Sequence, residues 1–541
     1  MGILFIPQVV FASNYYVSTT GSDTNAGTKA APWKTIQKAA NTMVAGDNVT
    51  VSAGDYSTQR VNITNSGASG SPITYQVQGT VVMKGFNITA NYIVIDGFEV
   101  ANTDYIPRWN CTTSAGICVY GAYNTIENNY IHDAAWRGIK LDGGVGDDTS
   151  HDNIVRNNKL YRNEYDGIHI NGQNNLIEGN EIWDTVQCHP SVTAIEDSEP
   201  DNNGQKCPNY PAVGTDANGI TFFGSGHIIR KNYIHDILFG PPGINPAIGD
   251  YNDNPHIDCF QTSEGNGEVA SNILFEQNYC DNLQYYVAGG APGSGFMLGG
   301  GANHLTIRNN IIRAYFAINC SASGNANYLY IYNNVIVGDL QYTNSGGGIY
   351  LYYSTYSTVE NNIFYDQAYF PIAVNHTATG IFIDYNLTYN SDNSTPSCAT
   401  WGTYNPCQES HNLWATNPKF ISTTDYHLQS TSPAINAGIT LSGVTNDYDG
   451  NSRPQGAGYD IGAYEYVSGG TPTPTPTLTP TPTPAPKPGD ANGDSLVNET
   501  DFTIWLSHFG QTISGVINGD FNGDGHVDGV DYTIWLNNYG K

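Results

Sequence analysis

Lys140, His169 and Arg137 are the basic side chains whose types and spacing best suit proton chemistry in this chain. Each lies in or beside a short Gly-Ile strand, with Asp142, Asp166 and Asn171 a few residues away and His256 and Asp258 in a later copy of the same pattern. A neutral lysine or histidine can abstract a proton, and an arginine beside it can neutralise a carboxylate. Removal of a proton α to a carboxylate needs both. Asp142, Asp166 and Asn171 also carry the oxygen donors that a Ca²⁺ bridging to an anion would use. A second chemistry needs only paired carboxyl groups roughly 5–10 Å apart, for which Asp142 with Asp166, or Asp166 with Asp258, are the candidates.

A separate constellation lies near the C-terminal end. DANGDSLVNETD from Asp490 and DFNGDGHVDGVD from Asp520 place oxygen-bearing side chains at loop positions 1, 3, 5, 9 and 12. These are Asp490, Asn492, Asp494, Asn498 and Asp501, then Asp520, Asn522, Asp524, Asp528 and Asp531, with the carbonyls of Leu496 and His526 at position 7. A hard cation takes about six to eight oxygens, and this spacing wraps them around one point. Two bound Ca²⁺ are expected, each loop opening a helix (FTIWLSHFG and YTIWLNNYG).

The elements that position the first set repeat. GICVYG, GIKLDG, GIHING, GITFFG, HIDCFQ, GFMLGG, FAINCS, GIYLYY and PIAVNH recur from Gly116 to His376, each followed by a second half such as NTIENNYIHD or NIVRNNKLYRN. Coils of this length, stacked, bury one continuous apolar face, so the spacing predicts a parallel β-solenoid. Corner asparagines are expected to bond along the stack and to accept turn dihedrals. Alternation then points every second residue outward. The first outward column is Cys118, Lys140, His169, Thr221, Asp258, Met297, Ala317, Tyr350 and Ala373; the second is Tyr120, Asp142, Asn171, Phe223, Phe260, Gly299, Asn319, Tyr352 and Asn375. The long connections 184–218 and 237–255 are expected to wall a groove beside them.

Composition agrees with strands and turns: 60 glycines and 38 tyrosines stand beside a charged fraction of only 13%. A net charge of −29 argues against nucleic acid as a partner. No apolar run is long enough to span a membrane. Residues 1–13 read as a truncated export signal, residues 468–486 as a Thr/Pro-rich extended linker, and 14–467 and 487–541 as separately folding domains. Cysteine spacing favours disulfides in an oxidising compartment, with close pairs Cys111/Cys118, Cys188/Cys207, Cys259/Cys280 and Cys398/Cys407, and Cys320 left over. Pro32 and Trp33 open a helical pattern through Ile36, Ala39 and Ala40, expected to cap the solenoid.

YYVSTTGSDTNAGT with APWKTIQKAANTM and VTVSAGDY (Tyr15 to Tyr56) resembles the opening of family 9 pectate lyases and related right-handed β-helix proteins. SPAINAG and DYDGNSRPQGAGYDIGAYEY (Ser432 to Tyr466) resemble the terminal segment of bacterial β-helix surface proteins. Residues 490–540 resemble a type I dockerin, which implies calcium-dependent docking onto a cohesin domain of a scaffold or cell-surface protein. The family 9 resemblance implies a catalytic lysine in a GFKLGG-like segment; here GSGFMLGGG puts Met297 at that place, and the paired-Asp calcium motif of the family is missing.

The expected fold is therefore all-β, a right-handed parallel β-helix with an N-terminal capping helix, followed by a small all-α calcium-binding module. The expected protein is a monomeric, secreted or surface-attached enzyme that degrades a uronate-containing polysaccharide such as pectin by elimination. Lys140 or His169 would be the base, Arg137 the neutraliser, and Asp142 with Asp166 the ligands of a third Ca²⁺. The residues leave two alternatives open. One is a glycoside hydrolase on the same helix; the other is a non-catalytic glycan-binding surface, for which Phe223, Tyr350 and Tyr352 would be exposed stacking rings.

Overall fold

In a computed structural model of the protein, the structure describes residues 12–104, 110–142, 149–186, 216–239, 257–263, 269–285, 293–320, 325–338, 347–367, 370–374, 378–390, 397–398, 407–468, 488–491, 497–513, 515–522 and 525–539. It divides into two compact units, Met1–Gly469 and Gly470–Lys541.

The first unit is a parallel β-helix. Three-residue strands with an apolar centre, such as Thr125–Glu127, Ile154–Arg156, Leu176–Glu178 and Ile228–Arg230, pair in parallel with their equivalents one coil away. Their central residues Ile126, Val155, Ile177 and Ile229 are wholly buried and stack into one core. A second set (Tyr130–His132, Lys159–Tyr161, Glu181–Trp183, Tyr233–Phe239) and a third (Ile117–Val119, Arg137–Leu141, Asp166–Ile170, Ala217–Phe222, Ile257–Thr262, Ser294–Leu298) complete each turn. No single coil could shield its own apolar side, so the core exists only through stacking.

The corners, Asn-Asn at some coils and another residue before Asn at others, divide their work between two positions. The first of each pair takes a left-handed backbone, as at Asn128 (φ 57°), Asn157 (φ 55°) and Asn333 (φ 50°). The second is buried and forms a ladder: Asn129, Asn158, Asn180, Asn232, Asn278, Asn310, Asn334, Asn362 and Asn386 each donate a side-chain N–H to the side-chain oxygen of the next ladder residue at 2.9–3.1 Å, Asn386 passing its own to Asn412. A parallel ladder through Asn124, Asn153 and Asn175 ends on His227, whose Nδ1 accepts the Asn175 N–H at 3.1 Å while Nε2 donates to the Phe223 carbonyl at 2.8 Å.

The helical pattern near Trp33 forms the short helix Ile36–Ala40, N-capped by Thr35, with Ile36, Ala39 and Ala40 buried against the first coil. At the other end, residues 411–466 fold back along the solenoid. Phe420, Tyr426, Leu428, Ala434, Ile461 and Tyr464 cover Ile311, Val335, Ile363 and Leu387. Arg453 anchors this segment through Glu465 at 2.7 Å and Asn309 at 3.1 Å, both its own side chain and that of Glu465 being fully buried.

Disulfides join Cys111 to Cys118 and Cys259 to Cys280, and Cys407 is disulfide-bonded; Cys320 is a buried free thiol. Cys188 and Cys207 lie outside the described residues, as does the side chain of Cys398.

Among its described residues, the second unit has two α-helices, Glu499–His508 and Gly529–Asn538, with a short 3-10 turn Val516–Asn518 between them. Each begins with a capping box, Asn498 with Asp501 and Asp528 with Asp531. Trp505 Nε1 donates to the Asp528 carbonyl at 3.0 Å and Trp535 Nε1 to the Asn498 carbonyl at 2.9 Å, so each helix is tied to the other's capping residue.

Candidate functional site

Among the described residues, parallel register brings the sequence-derived residues of the first unit onto one outward face. Lys140 is the lateral neighbour of His169, which is the neighbour of Thr221; Arg137 is the neighbour of Asp166, and Asp166 of Asn218. Two positions differ from the sequence-derived columns. Asp258 pairs with Asn218 and Ser294, so it continues the Arg137–Asp166 row, and Gln261 takes the place beside Thr221 and Met297. The reason is that Phe260 points into the core, stacked on Phe296 with ring centroids 4.6 Å apart. Likewise Asn319 and not Ala317 stands between Met297 and Tyr350. Asn375 and His256 lie outside the described residues.

Arg137 and Asp166 form the buried centre. Arg137 Nε donates to Asp166 Oδ2 at 2.6 Å, and the guanidinium lies between the rings of Trp136 (4.1 Å) and Tyr165 (4.8 Å). Asp166 Oδ1 accepts from the Thr221 hydroxyl and from Asn218 Nδ2 at 3.4 Å. Burial alone would raise the Asp166 pKa, but the Arg137 charge and the bonds from His169 and Thr221 outweigh it and hold the carboxyl below its usual range. His169 Nδ1 lies 3.5 Å from Asp166 Oδ2. Burial first, then the Arg137 charge, pushes the imidazole down to about 4, so it is neutral near pH 7. Its side chain is only 3% exposed.

The part of this face that reaches the surface is next to it. Lys140 Nζ donates to Asp142 Oδ2 at 2.8 Å and lies 4.9 Å from the Trp136 ring. The two side chains are 13% and 21% exposed. Burial and the neighbouring Arg137 charge lower the Lys140 pKa, opposed by Asp142 and Asp166. Burial, followed by the Asp142 carboxylate, raises the pKa of Tyr120. The Cys111–Cys118 disulfide walls this corner, its sulfurs within 4.8 Å of an Asp142 oxygen.

Asn171 is buried, with its side-chain oxygen accepting the Gly172 N–H at 2.8 Å. Asp258 is buried and accepts the Ser294 N–H at 2.8 Å. Phe223 and Tyr350, expected as exposed stacking rings, are buried at 3% and 9% exposure; Phe223 packs beside His169 and Tyr350 beside Phe316. Tyr352 is half-buried. Sequence reasoning missed Trp136 and Tyr165. The signal was present: AAWRGIK and NEYDGIH place an aromatic residue immediately before each charged strand start.

The two carboxylates named for a Ca²⁺ in this groove do not fit one. Asp142 faces Lys140 and Asp166 faces Arg137, so each already has a cation from the chain. The loops of the second unit present the opposite situation. Asp490, Asp501, Asp520 and Asp531 are buried. Asp501 accepts the Ala491 and Asn498 N–H groups, and Asp531 those of Phe521, Asn522 and Asp528. These bonds tie the carboxylate that ends each loop to described N–H groups earlier in it, and two buried acids per loop suit a divalent cation. Asn492, Asp494, Leu496 and Asp524 lie outside the described residues; Asn498, Asn522, His526 and Asp528 complete the described donors.

These features define a parallel β-helix protein carrying a duplicated calcium-loop module. Residues 15–221 match the model of the Pel9A-like, right handed beta helix region, and residues 488–539 that of the dockerin type I domain. The protein is thus a right-handed parallel β-helix similar to the family 9 pectate lyases, with a C-terminal type I dockerin. Dockerin type I domains bind calcium. The pectate disaccharide-lyase of Dickeya chrysanthemi is 25% identical over 281 residues, covering 49% of this chain and 34% of that protein. Uncharacterized protein YwoF of Bacillus subtilis (strain 168) is 36% identical over 90 residues, 17% of each chain. The matched segments thus span about a third or less of these relatives. Among solved structures, pectate lyase Pel9A is similar over 85% of this chain and 97% of its own, with 16% identity and a TM-score of 0.47. The complex of XylC with xylose covers 84% and 99%, with 14% identity and the same score. Among the described residues, no helix is long and apolar enough to cross a membrane.

Proposed function

We propose that the chain is an extracellular enzyme that breaks a uronate-containing polysaccharide, such as pectin, by β-elimination. Lys140 is the base. The observation that carries this reading is a partly exposed lysine of lowered pKa beside a buried Arg137–Asp166 pair. An amine can act as base only when neutral, and burial with a neighbouring guanidinium favours that form. Arg137 serves by its field and by fixing Asp166, since its guanidinium is already engaged. His169 is nearly enclosed and supports the neighbouring strand position. The dockerin, with two Ca²⁺, attaches the enzyme to a cohesin domain of a scaffold or surface protein. The disulfides support an oxidising, extracellular setting.

The test is incubation of the full chain with polygalacturonate, polymannuronate, glucuronan and neutral glycans, following both ultraviolet absorbance of the unsaturated product and new reducing ends. Absorbance that rises with reducing ends supports elimination. Reducing ends without absorbance would establish hydrolysis instead, and retention without product would establish a binding protein.

A further inference from the structure

Among the described residues of the first unit, the aromatic side chains that stand open to solvent are Tyr123, Tyr328, Tyr353, Tyr356 and Phe382, and all but Tyr123 lie within residues 328–382. His304, Tyr328 and Tyr356 occupy the same corner of successive coils. Their rings form a stack, with centroids 4.7 Å and then 5.4 Å apart and planes within 17° of each other. The stack stops at Gly380, where a Cβ would lie 2.7 Å from the Tyr356 ring, so Tyr356 is its last ring and is 53% exposed. Beside this corner Tyr330, Thr358 and Phe382 are lateral neighbours, so a short threonine separates two rings set two coils, about 10 Å, apart. The next outward row carries the carboxylates of Glu360 and Asp384. These strands continue the set that begins with Thr125–Glu127, and the residues around Lys140 belong to a different set.

Neither the turn nor the core accounts for these rings. His304, Tyr328 and Tyr356 take a left-handed backbone (φ 53–54°), a conformation that earlier coils give to Asp152, Asn174, Gly226 and Asn272 at the same corner and that bulky residues disfavour. Charge then selects among ligands. Between Arg313 and Lys419 the sequence has no lysine or arginine, and Arg308, in the row of Glu360, is already bound to Glu276 at 2.7 Å and to the Gly443 carbonyl. A polyanion finds no partner there, whereas rings stack on the C–H faces of sugars and carboxylates accept their hydroxyl protons.

The geometry points to a glycan-binding platform formed by Tyr328, Tyr330, Tyr356 and Phe382, with Glu360 and Asp384 at its edge, whose ligand is an uncharged β-1,4-linked polysaccharide lying along the stack of coils. Two coils match the length of two residues of such a chain, after which the same sugar face returns. Tyr330 and Phe382 thus meet alternate sugars, and Thr358 leaves room for the one between. The platform is separate from the Lys140 face and its ligand is separate from the uronate substrate: it holds the chain on the neutral glycan of a mixed material. It stands whether or not elimination is the reaction.

The experiment is affinity electrophoresis of the full chain in gels containing hydroxyethylcellulose, xylan, glucomannan or polygalacturonate, at low and high salt. Wild type is compared with Phe382→Ala and Tyr356→Asn, singly and combined; asparagine already serves this corner at Asn174 and Asn272, so the second variant keeps the turn. The expected result is retardation of wild type by a neutral polymer, equal at both salt concentrations. Each single variant should bind several-fold more weakly and the combined one at least about tenfold, with the melting temperature and the activity on soluble uronate unchanged. Should the combined variant melt early, the two single variants decide by the same measure. Wild type retarded by none of the neutral polymers, or only by polygalacturonate and only at low salt, would overturn the proposal. So would variants that melt normally and are retarded as strongly as wild type. A wild-type dimer in solution that the combined variant converts to monomer would assign the patch to a second copy of the chain and overturn it as well.

Discussion

Arg137 Nε and Asp166 Oδ2 lie 2.6 Å apart on adjacent coils, and both side chains are almost completely enclosed. The pair therefore acts as one unit: neither charge can be removed without leaving the other buried and uncompensated. It also joins the strand Arg137–Leu141, which carries Lys140, to the strand Asp166–Ile170.

Removing one partner should be severe. Asp166→Ala or Arg137→Ala is expected to destabilise the β-helix by about 3–5 kcal/mol, whereas Asp142→Ala, at a partly exposed pair, should cost at most about 1 kcal/mol. Thermal or denaturant unfolding of the three variants measures the difference. Equal losses would contradict the distinction between the two ion pairs.

Lys140→Ala is expected to reduce elimination by at least about 100-fold, and Lys140→Arg should not restore it because a guanidinium does not deprotonate in a protein. Asp142→Asn removes a carboxylate that favours charged Lys140. The acid limb of the pH–rate profile should then move to lower pH. Movement to higher pH would show that Asp142 does not act on the lysine in this way.

His169 and His227 are both held down to about 4, chiefly by burial. Unfolded histidines take up protons below about pH 6.5, so between pH 6.5 and 4 the unfolded state binds more protons than the folded one. Stability should fall as the pH drops through this window and rise with pH across it. His227→Asn places in the ladder the residue that Asn124, Asn153 and Asn175 already use, and it should flatten the dependence. A variant with the full wild-type slope would show that His227 does not contribute.

Calcium removal should act on the second unit alone. With chelator, the carboxylates of Asp490, Asp501, Asp520 and Asp531 lose their counter-ion, and the helices Glu499–His508 and Gly529–Asn538 should lose their closed loops. The expected change is a loss of helical circular dichroism with an unaltered β-helix melting transition. Asp501→Ala or Asp531→Ala should weaken calcium binding without changing activity on soluble substrate. Helicity indifferent to chelator would argue against the ion sites.

Much of this molecule follows from local pattern. Apolar centres in TIE, IVR and LIE, repeated at coil-length intervals, leave stacking as the way to bury them, and the Asn-Asn corners supply both the left-handed turn and the ladder. The cation loops are equally legible because all donors of each loop lie within twelve consecutive residues. Such features need no knowledge of distant chain. The state of the polar face is different. Alternation says that Lys140, His169, Phe223 and Tyr350 point away from the core, yet Lys140 reaches solvent while His169, Phe223 and Tyr350 do not. An outward side chain is exposed only if nothing packs over it, and that depends on neighbouring coils and connections remote in sequence. The same is true of Asp258. Its row was decided by Phe260 turning inward to stack on Phe296, a packing choice between two coils that neither segment encodes alone.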